Sequence, residues 1–227
     1  EKNKINISIE NIKSKLKSDN EVKDIKIFGS YKRDTIISRK FDENSDIDIM
    51  IIFKDDRHKS QTYLNYLKGL IGQKYTRSEI HQDNPTIVLE LNHIRFELVP
   101  ALDYFFNIRY KIPAKQSDYA DWLVTDPDEL NGKLTNNQNL RRLVRVAKIW
   151  NIKQGGLFNS YKLEKFIVNR NYICNWNLAD YFYTFCDALI TNCNYPQYTN
   201  DKIKKLKDKT SMANALDAEN IIKDLFE

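Results

Sequence analysis

One eight-residue stretch, DIDIMIIF at 46–53, constrains the fold of this chain more than any other. Its β-branched and aromatic residues predict a strand, and that strand opens on two carboxylates. Alternate residues of a strand share a face with Cα atoms roughly 6.5 Å apart. Asp46 and Asp48 therefore point one way, while Ile47, Ile49 and Ile51 pack the other. Carboxylates are costly on a strand that must also build a core, unless a cation pairs with them. The sequence thus asks for a sheet with one apolar face and one face that collects negative charge.

A second stretch adds to that face. TIVLEL (86–91) and IRFELV (94–99) predict two strands joined by Asn92-His93, the two-residue connection of a hairpin. Parity puts Ile94, Phe96 and Leu98 on one side and Arg95, Glu97 and Val99 on the other. Glu97 joins the aspartates if its strand is their neighbour. Three carboxylate donors suit Mg²⁺, which keeps water and phosphate oxygens in its remaining positions. A pair of such ions clamps the attacking and leaving oxygens of an in-line displacement. The competing reading is an edge strand with solvated acids. For a single acid that reading is the better one, and Glu90 serves as its example. The paired acids lie downstream of a Gly-Ser turn that follows a strand, which favours chemistry.

That turn is Gly29-Ser30. Glycine lets the backbone approach a phosphate, and the serine hydroxyl and nearby N–H groups can bond it. Further on, Arg141, Arg145 and Lys148 recur at i, i+4 and i+7 of a predicted helix. Arg141 reads as a solvated face, whereas Lys148, near the helix end, is placed to reach a triphosphate. Ser160 and Tyr161 open the next helix, where N–H groups favour anions. Serine there is often only a cap and tyrosine only a core aromatic, but a base can stack on an exposed ring.

The remaining pattern gives the organisation. Ile5, Ile9, Ile12 and Leu16 form the stripe of an amphipathic helix. A strand at 22–28, a polar loop, and a helix at 59–72 follow, with Pro100 closing the second hairpin strand. Beyond about residue 105 helices are expected. Asp126-Pro127 reads as a helix start, and helices are predicted over 139–153, from 159 or 160, over 178–191 and over 201–226. Residues 1–105 would form a catalytic α+β core and residues 106–227 a helical lobe closing a nucleotide cleft. At 227 residues, 41% hydrophobic and 30% charged, the chain has ample core for this. Its apolar runs fall far short of a membrane span. An N-terminus without a signal-like apolar stretch and three cysteines without CxxC spacing point to a reduced, cytoplasmic protein. His58, His81 and His93 lack zinc-site spacing. A net charge of +5 favours polyanionic ligands only weakly, and a stable nucleic-acid partner is left open.

Taken together, these residues resemble the polymerase-β-like nucleotidyltransferases, whose pattern is GS, then DhDh, then a third acid. They look most like the bacterial, SMODS-type branch related to cyclic GMP-AMP synthase and oligoadenylate synthetase. The matches are GSYKRDT (29–35), DIDIMI (46–51), FELVPA (96–101), WLVTDP (122–127), Lys148-Ile149-Trp150-Asn151 and SYKLE (160–164). The resemblance implies a mixed, largely antiparallel sheet with helices and a helical C-terminal lobe. It implies two Mg²⁺ or Mn²⁺ ions on Asp46, Asp48 and Glu97, phosphates at Gly29 and Ser30, the triphosphate tail on Lys148 and Ser160, and a base on Tyr161. Nucleoside triphosphates would be joined into a cyclic or linear signalling oligonucleotide for antiphage defence, with pyrophosphate released and an effector protein sensing the product. Two departures stand out: Glu97 where Asp is common, and Asp34 where Gly is usual. The alternatives are transfer to an RNA end or protein side chain, and a catalytically silent nucleotide-binding module.

Overall fold

A computed structural model describes residues 2–114, 120–191, 193–216 and 219–226. In chain order they form α1 (Lys2–Lys17), β1 (Val22–Ile27), α2 (Gly29–Lys32), β2 (Asp46–Phe53), α3 (Ser60–Lys74), β3 (Glu79–Asp83), β4 (Thr86–Leu91) and β5 (Ile94–Phe105). Then come β6 (Arg109–Pro113), β7 (Trp122–Thr125), α4 (Asn131–Leu134), α5 (Gln138–Lys153), α6 (Ser160–Val168), α7 (Leu178–Ala188) and α8 (Gln197–Leu216), with a 3₁₀ segment at Glu219–Leu225. The chain divides into two compact units, Glu1–Asp34 with Asn44–Glu129 and Thr35–Glu43 with Leu130–Glu227.

The first unit is a sheet with helices. Its strand order is β1-β2-β5-β4-β3, with β6 pairing β5 and β7 pairing β6. Only β2 and β5 run parallel among these pairs. The fold is therefore α+β with a mixed, mostly antiparallel sheet. Helix α3 lies against β3, β4 and β5, and α1 against β1. The α1 stripe Ile5, Ile9, Ile12 and Leu16 is buried, as are Ile47, Ile49, Ile87, Leu89, Phe96 and Leu98. Burial at these alternating positions fixes the register, because a one-residue slip would carry every carboxylate into the core.

The first unit departs from expectation at three points. Pro100 does not end its strand; β5 continues to Phe105. Its pairing with β4 stops at Leu98 and its pairing with β6 starts at Leu102. Pro100 thus sits where that edge is unpaired, and its missing N–H forfeits no ladder bond. Helices do not begin at residue 105, because β6 and β7 extend the sheet to Thr125. Asp126-Pro127 is not a helix start either. Asp126 Oδ1 accepts from the Asp128 N–H at 2.9 Å, a local turn that competes with helix formation.

The second unit is helical. The α5 stripe Leu140, Leu143, Val144, Ala147 and Trp150 packs with Leu163, Ile167, Phe182, Phe185, Ile203 and Leu206 into one core. Gly155 and Gly156 follow α5 with φ +86° and +74°, a left-handed exit that side chains rarely allow. The helix expected over 178–191 stops at Ala188. The one expected over 201–226 is α8 and then the 3₁₀ segment, with 217 and 218 outside the described residues.

Candidate active site

Parallel pairing of β2 with β5 sets Asp46 opposite Arg95 and Asp48 opposite Glu97. Strand β4 continues the rows, with Glu90 opposite Arg95 and Val88 opposite Glu97. Directly opposed residues share a sheet face, and neighbouring strands lie about 4.8 Å apart. The structure therefore brings Asp46, Asp48 and Glu97 together on one face, each partly exposed. The opposite face of the same strands is core.

The corner between β1 and α2 is built onto this face. The Phe28 N–H donates to the Asp48 carbonyl at 3.1 Å, and Gly29 follows with φ +69°. A Cβ on Gly29 would lie 1.8 Å from Asp48 Oδ2. Only glycine lets the Asp48 carboxylate rest against this backbone. Ser30 is half-buried beside it. Asp34, the departure from the usual Gly, has φ +56°; Asp is among the few residues that visit this region, because its short side chain can hydrogen-bond locally.

Like charges crowd on the face. The Asp46 carboxyl is pushed up to about 8, first by burial, then by the charges of Asp48 and Glu97, with Arg95 opposing. Arg95 Nη2 donates to Glu97 Oε1 at 2.9 Å and to Asp83 Oδ2 at 3.0 Å. Among the described residues, no three His, Cys, Asp or Glu side chains are arranged to hold a metal ion. The donor chemistry nevertheless fits a hard divalent cation. Three carboxylates crowd on neighbouring strands, and the upward push on Asp46 is the penalty that such a cation would remove.

A family model for the Second Messenger Oligonucleotide or Dinucleotide Synthetase domain, SMODS, matches residues 1–139. The chain belongs to the SMODS family. It is a nucleotidyltransferase with the polymerase-β-like fold. No curated protein matches it in sequence. Solved structures match along its length. CdnC of E. coli MS115-1, solved with ATP, is 15% identical at a TM-score of 0.70, covering 99% of this chain and 91% of CdnC. The CD-NTase CdnG of Bradyrhizobium diazoefficiens, solved with GTP, is 11% identical at 0.73, covering 96% and 90%. Vibrio cholerae DncV, a cyclic AMP-GMP synthase solved with the linear intermediate pppA(3′,5′)pG, is 12% identical at 0.68, covering 89% and 67%. The family model covers Asp46, Asp48, Glu97, Gly29 and Ser30, and stops at the start of α5.

The other expected site residues lie in the helical unit. Lys148 is 5% exposed. Its ammonium donates to Glu164 Oε2 at 2.8 Å and to the Thr35 carbonyl at 3.2 Å. Glu164, 1% exposed, accepts on its other oxygen from the Thr35 hydroxyl at 2.8 Å. Ser160 and Tyr161 are exposed at the start of α6. The cap of that helix is Asn159, whose side chain accepts from the Lys162 N–H, so Ser160 is not needed for capping. The sequence pattern assigns no role to Arg95, Asp83 or Glu164. An arginine two residues before an acid on one strand face was the available signal for the first. Asp83 and Glu164 had none, since their partners lie 12 and 16 residues away.

Proposed function

We propose that this chain is a metal-dependent synthase that joins nucleoside triphosphates into a cyclic or linear oligonucleotide messenger and releases pyrophosphate. The observation that carries this reading is the register Asp46↔Arg95 and Asp48↔Glu97, which gathers three carboxylates beside Gly29 within the SMODS segment. Asp46 and Asp48 would hold the ion carried by the nucleotide. With Glu97 they would hold a second. Bound there, Mg²⁺ or Mn²⁺ neutralises phosphate charge and polarises the α-phosphate.

The chain's own groups have distinct work. Gly29 keeps the backbone clear of side-chain bulk, and the Ser30 hydroxyl bonds a phosphate oxygen. Glu97 takes the proton of the attacking hydroxyl. Ser160 serves the triphosphate tail, and Tyr161 offers an exposed ring to a base. For Lys148 to bond the tail, it must release Glu164 and the Thr35 carbonyl. ATP and GTP, bound in CdnC and CdnG, are the first substrates to test. The messenger would act through an effector protein in antiphage defence, in the cytoplasm where triphosphates are made. No helix among the described residues is long and apolar enough to cross a membrane.

The test is incubation with all ribo- and deoxyribonucleoside triphosphates plus Mg²⁺ or Mn²⁺, with products identified by mass spectrometry. Small soluble oligonucleotides are expected. Label carried only on RNA ends or on protein would replace this reading with macromolecule modification. Nucleotide binding without pyrophosphate release would replace it with a silent binding module.

A further inference from the structure

The carboxylate face carries a cation of its own. Arg95 shares one nitrogen, Nη2, between Glu97 and Asp83. Its Nε is buried without a hydrogen-bond partner. The two partners differ in setting. The side chains of Arg95 and Glu97 are only 17% and 22% exposed, whereas Asp83 is 62% exposed. The Glu97 contact is therefore the less screened of the two, and it engages the carboxylate that completes the acid set.

We propose that Arg95 is a tethered counter-ion that positions Glu97 in the metal-free protein and competes with divalent cations for it. Metal loading is thereby coupled to transfer of Arg95 from Glu97 to Asp83. This inference rests on the metal-dependent reading above. Arg95 lies opposite Asp46 and bonds the residue opposite Asp48, so its positive charge sits among the proposed ligands. There it lowers the repulsion among the acids while no metal is present. A metal ion and a guanidinium repel each other, and both need Glu97 oxygen, so they cannot both be served fully. Asp83 makes the exchange inexpensive, because Arg95 already bonds it and leaves Glu97 without becoming unpaired. The extra methylene of Glu97, relative to the usual Asp, gives its carboxylate reach toward either partner.

The experiment is Mn²⁺ titration of the full chain without nucleotide, read by electron paramagnetic resonance of free Mn²⁺. Arg95→Gln is expected to tighten Mn²⁺ binding roughly three- to tenfold, the scale of one partly screened charge interaction. Asp83→Asn is expected to loosen it by a smaller factor, because Arg95 then loses the carboxylate it already bonds besides Glu97. Asp83 is exposed, so this variant is expected to fold and provides a test even if Arg95→Gln does not. Unchanged or weaker binding in Arg95→Gln overturns the proposal, as does unchanged or tighter binding in Asp83→Asn. The underlying metal reading fails separately, if Asp46→Asn with Asp48→Asn leaves Mn²⁺ binding as in the wild type.

Discussion

Two of the places where acids meet bases in this molecule are built oppositely. In the helical unit, Lys148 and Glu164 are buried against each other, with the Thr35 hydroxyl donating to Glu164 and the Thr35 carbonyl accepting from Lys148. On the sheet face, Asp46, Asp48 and Glu97 lie together with Arg95 bonded to Glu97, and each acid remains partly exposed. A buried pair that balances its charge and its hydrogen bonds needs nothing further. An open set in which carboxylates repel one another carries a cost that a bound cation can remove. This contrast supports the proposed site on the sheet face, and it sets what Lys148 would have to give up to serve a nucleotide.

The sharpest break of that contrast would come from the sheet face. Asp46→Asn with Asp48→Asn should abolish nucleotide transfer while the metal-free protein keeps or gains thermal stability. The gain has a pH dependence. The Asp46 carboxyl is held at about 8 in the folded chain against an ordinary aspartate value of 3.8 in the unfolded one. Between those values folding takes up a proton, so wild-type stability falls as pH rises and the advantage of Asp46→Asn grows. Wild-type turnover in the double variant, or a loss of stability in alkaline buffer, would end the assignment.

Glu97→Gln should lower the transfer rate by orders of magnitude, whereas Glu90→Gln should be nearly silent. Both lie on the same face of one hairpin, and Glu90 is opposite Arg95. Equal small effects in steady-state rates would mean that the third carboxylate of the site is another residue.

The closed pair should answer in stability. Lys148→Met strands a buried carboxylate and is expected to cost roughly 3–5 kcal/mol in denaturant unfolding. Adding Glu164→Leu should recover much of that loss, since an apolar pair of similar volume is often tolerated. A Lys148→Met protein of wild-type stability and impaired nucleotide affinity would instead make Lys148 a ligand group.

The smallest effect is expected at α6. Tyr161→Ala should weaken nucleotide binding by about 1–3 kcal/mol if its ring stacks on a base, and Tyr161→Phe should change little. Equal affinities in a nucleotide titration would remove Tyr161 from the site.

The sequence by itself determined the parity of the acids. Alternation around Asp46, Asp48 and Glu97 admits one buried face at that end of the strands, whereas Met50, Ile52 and Val99, of the acids' parity, are buried further along by packing that the period does not record. It likewise determined the stripes of α1 and α5, whose apolar residues recur at helical spacing and are buried as expected. Tertiary structure alone decided what those acids and bases touch. Which strand neighbours β2, and in what register, depends on pairing across nearly fifty residues, and no local pattern records it. The same holds for Pro100, whose place in β5 depends on where two other strands begin and end. Lys148 is the plainest case. On its own helix it belongs to a basic stripe, and only the arrival of Glu164 from α6 and of Thr35 from far upstream turns it into a buried, fully bonded charge. Periodicity reports the face a residue presents; the partner it finds there comes from distant chain, because charge satisfaction is settled in space and not along the sequence.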